Sequence, residues 1–203
     1  MQTQSHSQPQ LPAAAVVITH EVEDFAGWKR AFDRHEAARR SAGIVSAHVN
    51  QAVENPNRLS VYLASSDASK LATFLGSPDL MATMRAAGVV GPPHIVEIIP
   101  VEDRTQKDRP LPGLIIRHEV REFATWKAGF DAHGAARARA GVIGHAINRS
   151  TRNPNVVVIY LQAASLDALH AFAAAPDLKE VMQAAGVVGA PELAFVNGGA
   201  WQV

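Results

Sequence analysis

The stretch His20-Glu21-Val22-Glu23-Asp24-Phe25-Ala26-Gly27-Trp28-Lys29 returns 98 residues later as His118-Glu119-Val120-Arg121-Glu122-Phe123-Ala124-Thr125-Trp126-Lys127. The same offset carries Asn55-Pro56-Asn57 onto Asn153-Pro154-Asn155, Pro78-Asp79-Leu80 onto Pro176-Asp177-Leu178, and Ala86-Ala87-Gly88-Val89-Val90-Gly91 onto Ala184-Ala185-Gly186-Val187-Val188-Gly189. Roughly 35 of about 76 aligned positions between Ile18 and Pro93 are identical, so the chain is one module written twice. The expected organisation is a disordered tail over 1–13, a first repeat over 14–101, a linker over 102–112 and a second repeat over 113–203.

Each copy reads as strand, helix, two strands, helix, strand. Val16 to Val22 is β-branched and alternating, which puts Val16, Ile18, His20 and Val22 on one face of a strand. Asp24 is a plausible cap, and Phe25, Trp28, Phe32, His35 and Arg39 follow at helical spacing to a stop near Gly43. On this stripe the first three residues are core anchors. His35 and Arg39, like His133 and Arg137, drift toward a solvated face, although Arg39 could also reach an anionic ligand. Ile44–Gln51 and Leu59–Ala64 form a hairpin around Asn55-Pro56-Asn57. A helix over Asp67–Leu75 and another capped by Ser77 lead through Gly88 to a last strand, Ile95–Ile99.

A βαββαβ unit covers one face of an antiparallel sheet with helices. Strands such as Val156–Leu161 are too apolar to leave the other face in water, so the two sheets are expected to pack face to face as an intrachain pseudo-dimer.

Charge is balanced, with 19 basic and 19 acidic side chains among 203 residues, which offers no field for nucleic acid or anionic lipid. The third strand, from Arg58 to Leu63, has one aromatic residue and no glycine–aromatic pair of the kind with which RNA-recognition motifs stack bases. The absence of cysteine removes disulfides, iron–sulfur clusters, thiolate metal sites and thiol nucleophiles. No apolar run is long enough for a bilayer, and the first ten residues lack the pattern of a secretory signal. The expectation is a cytoplasmic protein with neither membrane nor nucleic-acid partners.

The His-x-Val-x-x-Phe-x-x-Trp opening, the βαββαβ order and the Pro-Asp-Leu…Ala-Gly-Val-Val-Gly segment resemble the dimeric α+β barrel superfamily of ferredoxin-like fold. That group includes the antibiotic biosynthesis monooxygenases and the stress-responsive A/B barrel proteins. The resemblance implies an α+β protein in which two tandem ferredoxin-like repeats supply both halves of a barrel normally made by a dimer. It implies a small apolar or aromatic ligand held between the sheets. It also implies one of three activities: cofactor-independent oxygenation of an aromatic or polyketide-like substrate, a non-catalytic stress-related or interaction role, or haem binding. Fold alone does not choose among them.

Candidate catalytic residues are the histidines, which titrate near neutral pH. His20 and His118 are equivalent, and either could be a base or a core residue ordering the strand end. His48 and His145 lie on opposite strand faces and do not align, since Ala146 stands opposite His48 and Ala47 opposite His145. At most one half therefore has a catalytic histidine there. Candidate ligand-binding residues are Asn50 and Asn148 with Tyr62 and Tyr160, matched polar groups in apolar strands, which could orient a phenolate or satisfy one another. Trp28 and Trp126 could touch the ligand, although their spacing is that of a buried stripe. Trp201 has no counterpart in the repeat and could cap a cavity. The scattered histidines form no metal-ligand pattern, and no glycine-rich nucleotide fingerprint is present, so neither a metal nor a bound cofactor is expected.

Overall fold

The computed structural model describes residues 11–202. The expected tail therefore lies outside the described residues up to position 10. The first half comprises β1 (Ala14–Val22), α1 (Phe25–Arg34), α2 (Glu36–Ser41), β2 (Ile44–Ala52), β3 (Arg58–Ser65), α3 (Ala68–Leu75), α4 (Pro78–Ala86) and β4 (Val89–Asp103). The second comprises β5 (Pro112–Val120), α5 (Phe123–Ala132), α6 (Gly134–Arg139), β6 (Val142–Ser150), β7 (Val156–Ala163), α7 (Leu166–Ala173), α8 (Leu178–Ala184) and β8 (Val187–Gln202).

Each half is an antiparallel sheet, ordered β4-β1-β3-β2 and β8-β5-β7-β6. The two do more than face each other. β2 pairs with β8 and β4 with β6, so all eight strands close into one barrel. The helices cover its outside. Strand period then sorts the side chains. Val16, Ile18, Val49, Val61 and Leu63 pack outward against Trp28, Leu71 and Phe74, and their second-half equivalents do the same around Trp126 and Phe172. A smaller cluster of Ala15, Ala64, Ile98 and Val158 fills part of the lumen.

Local chemistry accounts for the element ends. The Asp24 carboxylate accepts from the backbone N–H groups of Ala26 (3.3 Å) and Gly27 (2.6 Å), and Ser77 accepts from Leu80 N (3.2 Å) with Pro78 in the first turn. Gly43 and Gly141, at φ 74° and 90°, make the left-handed step from helix to the next strand, which side chains disfavour. In the hairpins Asn57 N donates to Asn55 Oδ1 and Asn155 N to Asn153 Oδ1, both at 3.0 Å.

The first helix departs from expectation. It is not one element to Gly43 but two, broken at His35 (φ −84°, ψ 8°), and again at His133. At the break the Phe32 carbonyl accepts from His35 N (3.2 Å) and keeps room for a second donor. The Arg39 guanidinium turns back to donate to Phe32 O, and Arg137 does the same to Phe130 O. Each guanidinium also lies over the ring of that phenylalanine, 3.7 and 3.4 Å from the centroid. The expected solvated arginines are therefore buried, at 1% and 6% exposure. The last strand is also longer than Ile95–Ile99. It takes in Gly91 at φ 69° near one end and Glu102 and Asp103 at the other, because it serves β1 first and β6 afterwards.

Candidate functional site

The sheet divides the candidate residues between two environments. His20, His118, Trp28, Trp126 and His145 lie on the helix-covered outer side. His48, Asn50, Asn148, Tyr62 and Tyr160 line the lumen. A base at His20 or His118 therefore cannot share a ligand with the asparagines and tyrosines, which project from the opposite face of the same sheet.

A cavity of about 120 Å³ lies on the outer side of the second half, between β5, β7, β8 and helices α5–α8. Its walls are apolar, including Ile116, Ile159, Leu161, Phe172 and Met182, and its polar groups are His118, His133 and Arg137. His118 is 6% exposed, and neither of its ring nitrogens has a hydrogen-bond partner. Its ring meets Trp126 edge-on at 5.6 Å. Burial depresses the imidazole to a pKa of about 4, so at neutral pH it is uncharged, with one nitrogen donating and the other accepting.

The first half repeats this arrangement at about 60 Å³, with His20 against Trp28, both ring nitrogens of His20 unpartnered and its pKa also about 4. At two positions of its wall the second half carries the smaller residue. Gly129 replaces Ala31, and Ala173 replaces Leu75. A Cβ on Gly129 would stand 3.0 Å from the Ala185 Cβ. The first half is also tied more tightly. His35 Nε2 lies 2.8 Å from Asp79 Oδ2, and Gln202 accepts from Arg39 at 3.2 Å while donating to Asp33 at 2.9 Å.

The lumen cavity is smaller, about 50 Å³. A small, mostly apolar pocket between the sheets is thus present, and the larger apolar cavity lies between sheet and helices. His48 is spent on structure. Its Nε2 donates to Gly199 O (3.0 Å), its Nδ1 accepts from Asn50 Nδ2 (3.3 Å), and its ring stacks at 4.2 Å on Trp201, its cross-strand neighbour. Burial again lowers its pKa to about 4, against the Gly199 contact, which raises it. Burial pushes the Tyr62 and Tyr160 phenols above their ordinary value. Asn148 donates to Val158 O (3.2 Å).

His145 reaches neither cavity. Its Nε2 sits 3.1 Å from Glu102 Oε1, its ring lies beside Phe130, and Lys127 approaches the same carboxylate at 2.9 Å. Burial raises the Glu102 carboxyl, but contacts from Lys127, Arg104 and His145 outweigh it and hold it at about 2. This is an ion-pair cluster joining β4, β6 and α5. Among the described residues no group of three or more metal-ligating side chains comes together.

Arg39 and Arg137, expected at a solvated face, are buried members of the outer cavities. Their recurrence at the same offset was the available signal, but nothing in the sequence marks the helix break that turns them inward.

No family model and no curated protein matches the sequence. Solved structures do match. A candidate monooxygenase from Lactobacillus acidophilus NCFM superposes with a TM-score of 0.66 at 10% identity, over 96% of this chain and 97% of its own. An anthrone oxidase-like protein gives 0.65 at 12% identity, over 93% and 92%. A ferredoxin-fold protein related to antibiotic biosynthesis monooxygenases, from Listeria monocytogenes 4b F2365, gives 0.55 at 12% identity, over 92% and 95%. At such identities the likeness is one of fold. The chain has the α+β barrel fold that these proteins share, built from two ferredoxin-like halves in a single polypeptide.

Proposed function

We propose that the protein binds a one-ring aromatic molecule bearing a hydroxyl in the second-half cavity, and oxygenates it without a cofactor. The observation that carries the reading is His118, an unpartnered neutral imidazole at the wall of an otherwise apolar cavity beside a buried arginine. Buried polar atoms rarely go without partners, and when they do a ligand is a physical reason. The volume supports one ring rather than a fused polyketide frame, since a cavity of about 150 Å³ takes benzene. The same limit argues against haem, whose four-pyrrole macrocycle does not fit the walls as they stand.

In the oxygenation reading His118 accepts the phenol proton and Arg137 stabilises the phenolate. The electron-rich ring carbon then reduces dioxygen, a carbon–oxygen bond forms, and loss of water leaves a quinone. The proton returns from His118. Phenol and dioxygen thus yield benzoquinone and water, with no outside reductant. The depressed pKa of His118 supports a second reading, a non-catalytic binding module, because so weak a base takes a proton only with the help of Arg137.

The experiment pairs calorimetric binding with oxygen uptake, using phenol and hydroquinone. Gly129→Ala/Ala173→Leu gives the second half the side chains the first half already carries, and is expected to weaken binding at least tenfold while the chain stays folded. His118→Gln is expected to abolish oxygen uptake above the uncatalysed rate. Binding without uptake would leave the second reading standing. Binding unaffected by Gly129→Ala/Ala173→Leu would overturn both.

A further inference from the structure

We infer that the barrel lumen is a second binding site, separate from the outer cavity, and that it takes a small neutral amide. Three buried hydrogen-bonding atoms there have no protein partner: Asn50 Oδ1, the Tyr160 hydroxyl and Trp201 Nε1. Asn50 is only 3% exposed. Its amide nitrogen is engaged by His48 and by Ser60 O (3.4 Å), which leaves the oxygen as the free end. Gln162, beside Tyr160, is committed at both ends of its amide to the Gln106 backbone, by contacts of 2.7 and 3.1 Å. The Gln162 amide also approaches the Tyr160 hydroxyl oxygen, so that what is left over on Tyr160 is its hydroxyl hydrogen.

The unpartnered set is two donors, Tyr160 O–H and Trp201 Nε1–H, and one acceptor, Asn50 Oδ1. A carbonyl oxygen accepts two hydrogen bonds while the adjoining N–H donates one, which is the complement of that set. Two glycines make room for the arrangement. A Cβ on Gly113 would fall 2.3 Å from the Tyr160 ring, and one on Gly198 would fall 3.0 Å from its hydroxyl. The equivalent of Gly113 in the first half is Ala15, so Tyr62 is denied this position.

Size and charge narrow the class. At about 10–15 Å³ for each water it could hold, about 50 Å³ accommodates roughly four non-hydrogen atoms, the number in acetamide. Glu102 and Asp103 line the same cavity. They invite neither an anion nor a cation, because Asp103 is paired with Lys107 at 2.7 Å, and Glu102 with Arg104 and Lys127 at 2.6 and 2.9 Å.

The test uses the full chain labelled with nitrogen-15. The indole N–H signal of Trp201 is identified by its loss in Trp201→Phe, and acetamide is compared with acetate, its anionic near-isostere. Acetamide is expected to shift the Trp201 signal saturably in the millimolar range while leaving that of Trp126 in place, and acetate to leave both unmoved. Tyr160→Phe, which keeps the ring, and Asn50→Leu are each expected to weaken the effect at least fivefold. A non-saturable acetamide response, an equal response to acetate, or full retention of binding in Tyr160→Phe would mean that water alone satisfies these atoms, and would overturn the inference.

Discussion

His20, His48 and His118 have the same depressed pKa, about 4, for the same reason, burial, but only His48 uses both ring nitrogens. The common shift has a consequence for stability. An unfolded histidine titrates near 6.5, so between 6.5 and about 4 the unfolded chain holds protons that the folded chain refuses. Stability is therefore full above 6.5 and falls with pH down to about 4, by on the order of 3 kcal/mol per histidine. Urea midpoints at pH 7, 5 and 4 are expected to drop steeply in the native chain and less steeply in His20→Gln/His118→Gln; equal slopes would mean that other groups set the acid sensitivity. Glu102 gives way in a lower window, because its stabilising contacts persist until pH falls from 4.5 through about 2. The histidines were legible as a repeated pair in the sequence. Which of them is free was not, since the partners of His48 stand 151 and 153 residues away, at Gly199 and Trp201.

At the end of helix α5 Arg137 donates to Phe130 O, and this contact joins secondary structure to the cavity wall. Arg137→Lys keeps the charge but loses the planar fork over the ring. It is expected to cost about 1–3 kcal/mol by thermal unfolding, as for a buried carbonyl left without its charged donor. On strand β5, Gly113→Ala is expected to destabilise by about 1–3 kcal/mol, since the new methyl collides with the Tyr160 ring. An unchanged melting temperature would show that the ring moves freely aside. Strand order, hairpin turns and helix caps could all be read from period and turn chemistry, because those signals are local. The break at His35 carries neither proline nor glycine, and the extension of β4 depends on β6 being there to receive it, so both needed the assembled molecule.

For the molecule as a whole, the seams β2–β8 and β4–β6 matter more than the duplication suggests. They join the two halves by backbone hydrogen bonds, and Arg39 reaches across to Gln202 of the last strand. We propose that the halves delimited at 14–101 and 113–203 are units of sequence and not of stability. Urea unfolding followed by far-ultraviolet circular dichroism and by tryptophan emission is expected to give one coincident transition, with a slope suited to all 203 residues. Two resolved transitions would contradict this. That the sheets would meet was legible from the apolar strands; that the meeting would leave the larger apolar cavity outside the barrel was not, because it depends on how side chains fill the space once strands and helices are assembled.

Joining both halves in one polypeptide also removes a constraint that an assembly of identical subunits cannot escape. In a homodimer one codon sets the same residue in both cavities, so any enlargement of one enlarges the other. Here Ala31 and Gly129, or Leu75 and Ala173, are separate letters. One half can keep a close-packed interior and lend it to the shared barrel, while the other gives up packing to make space for a guest.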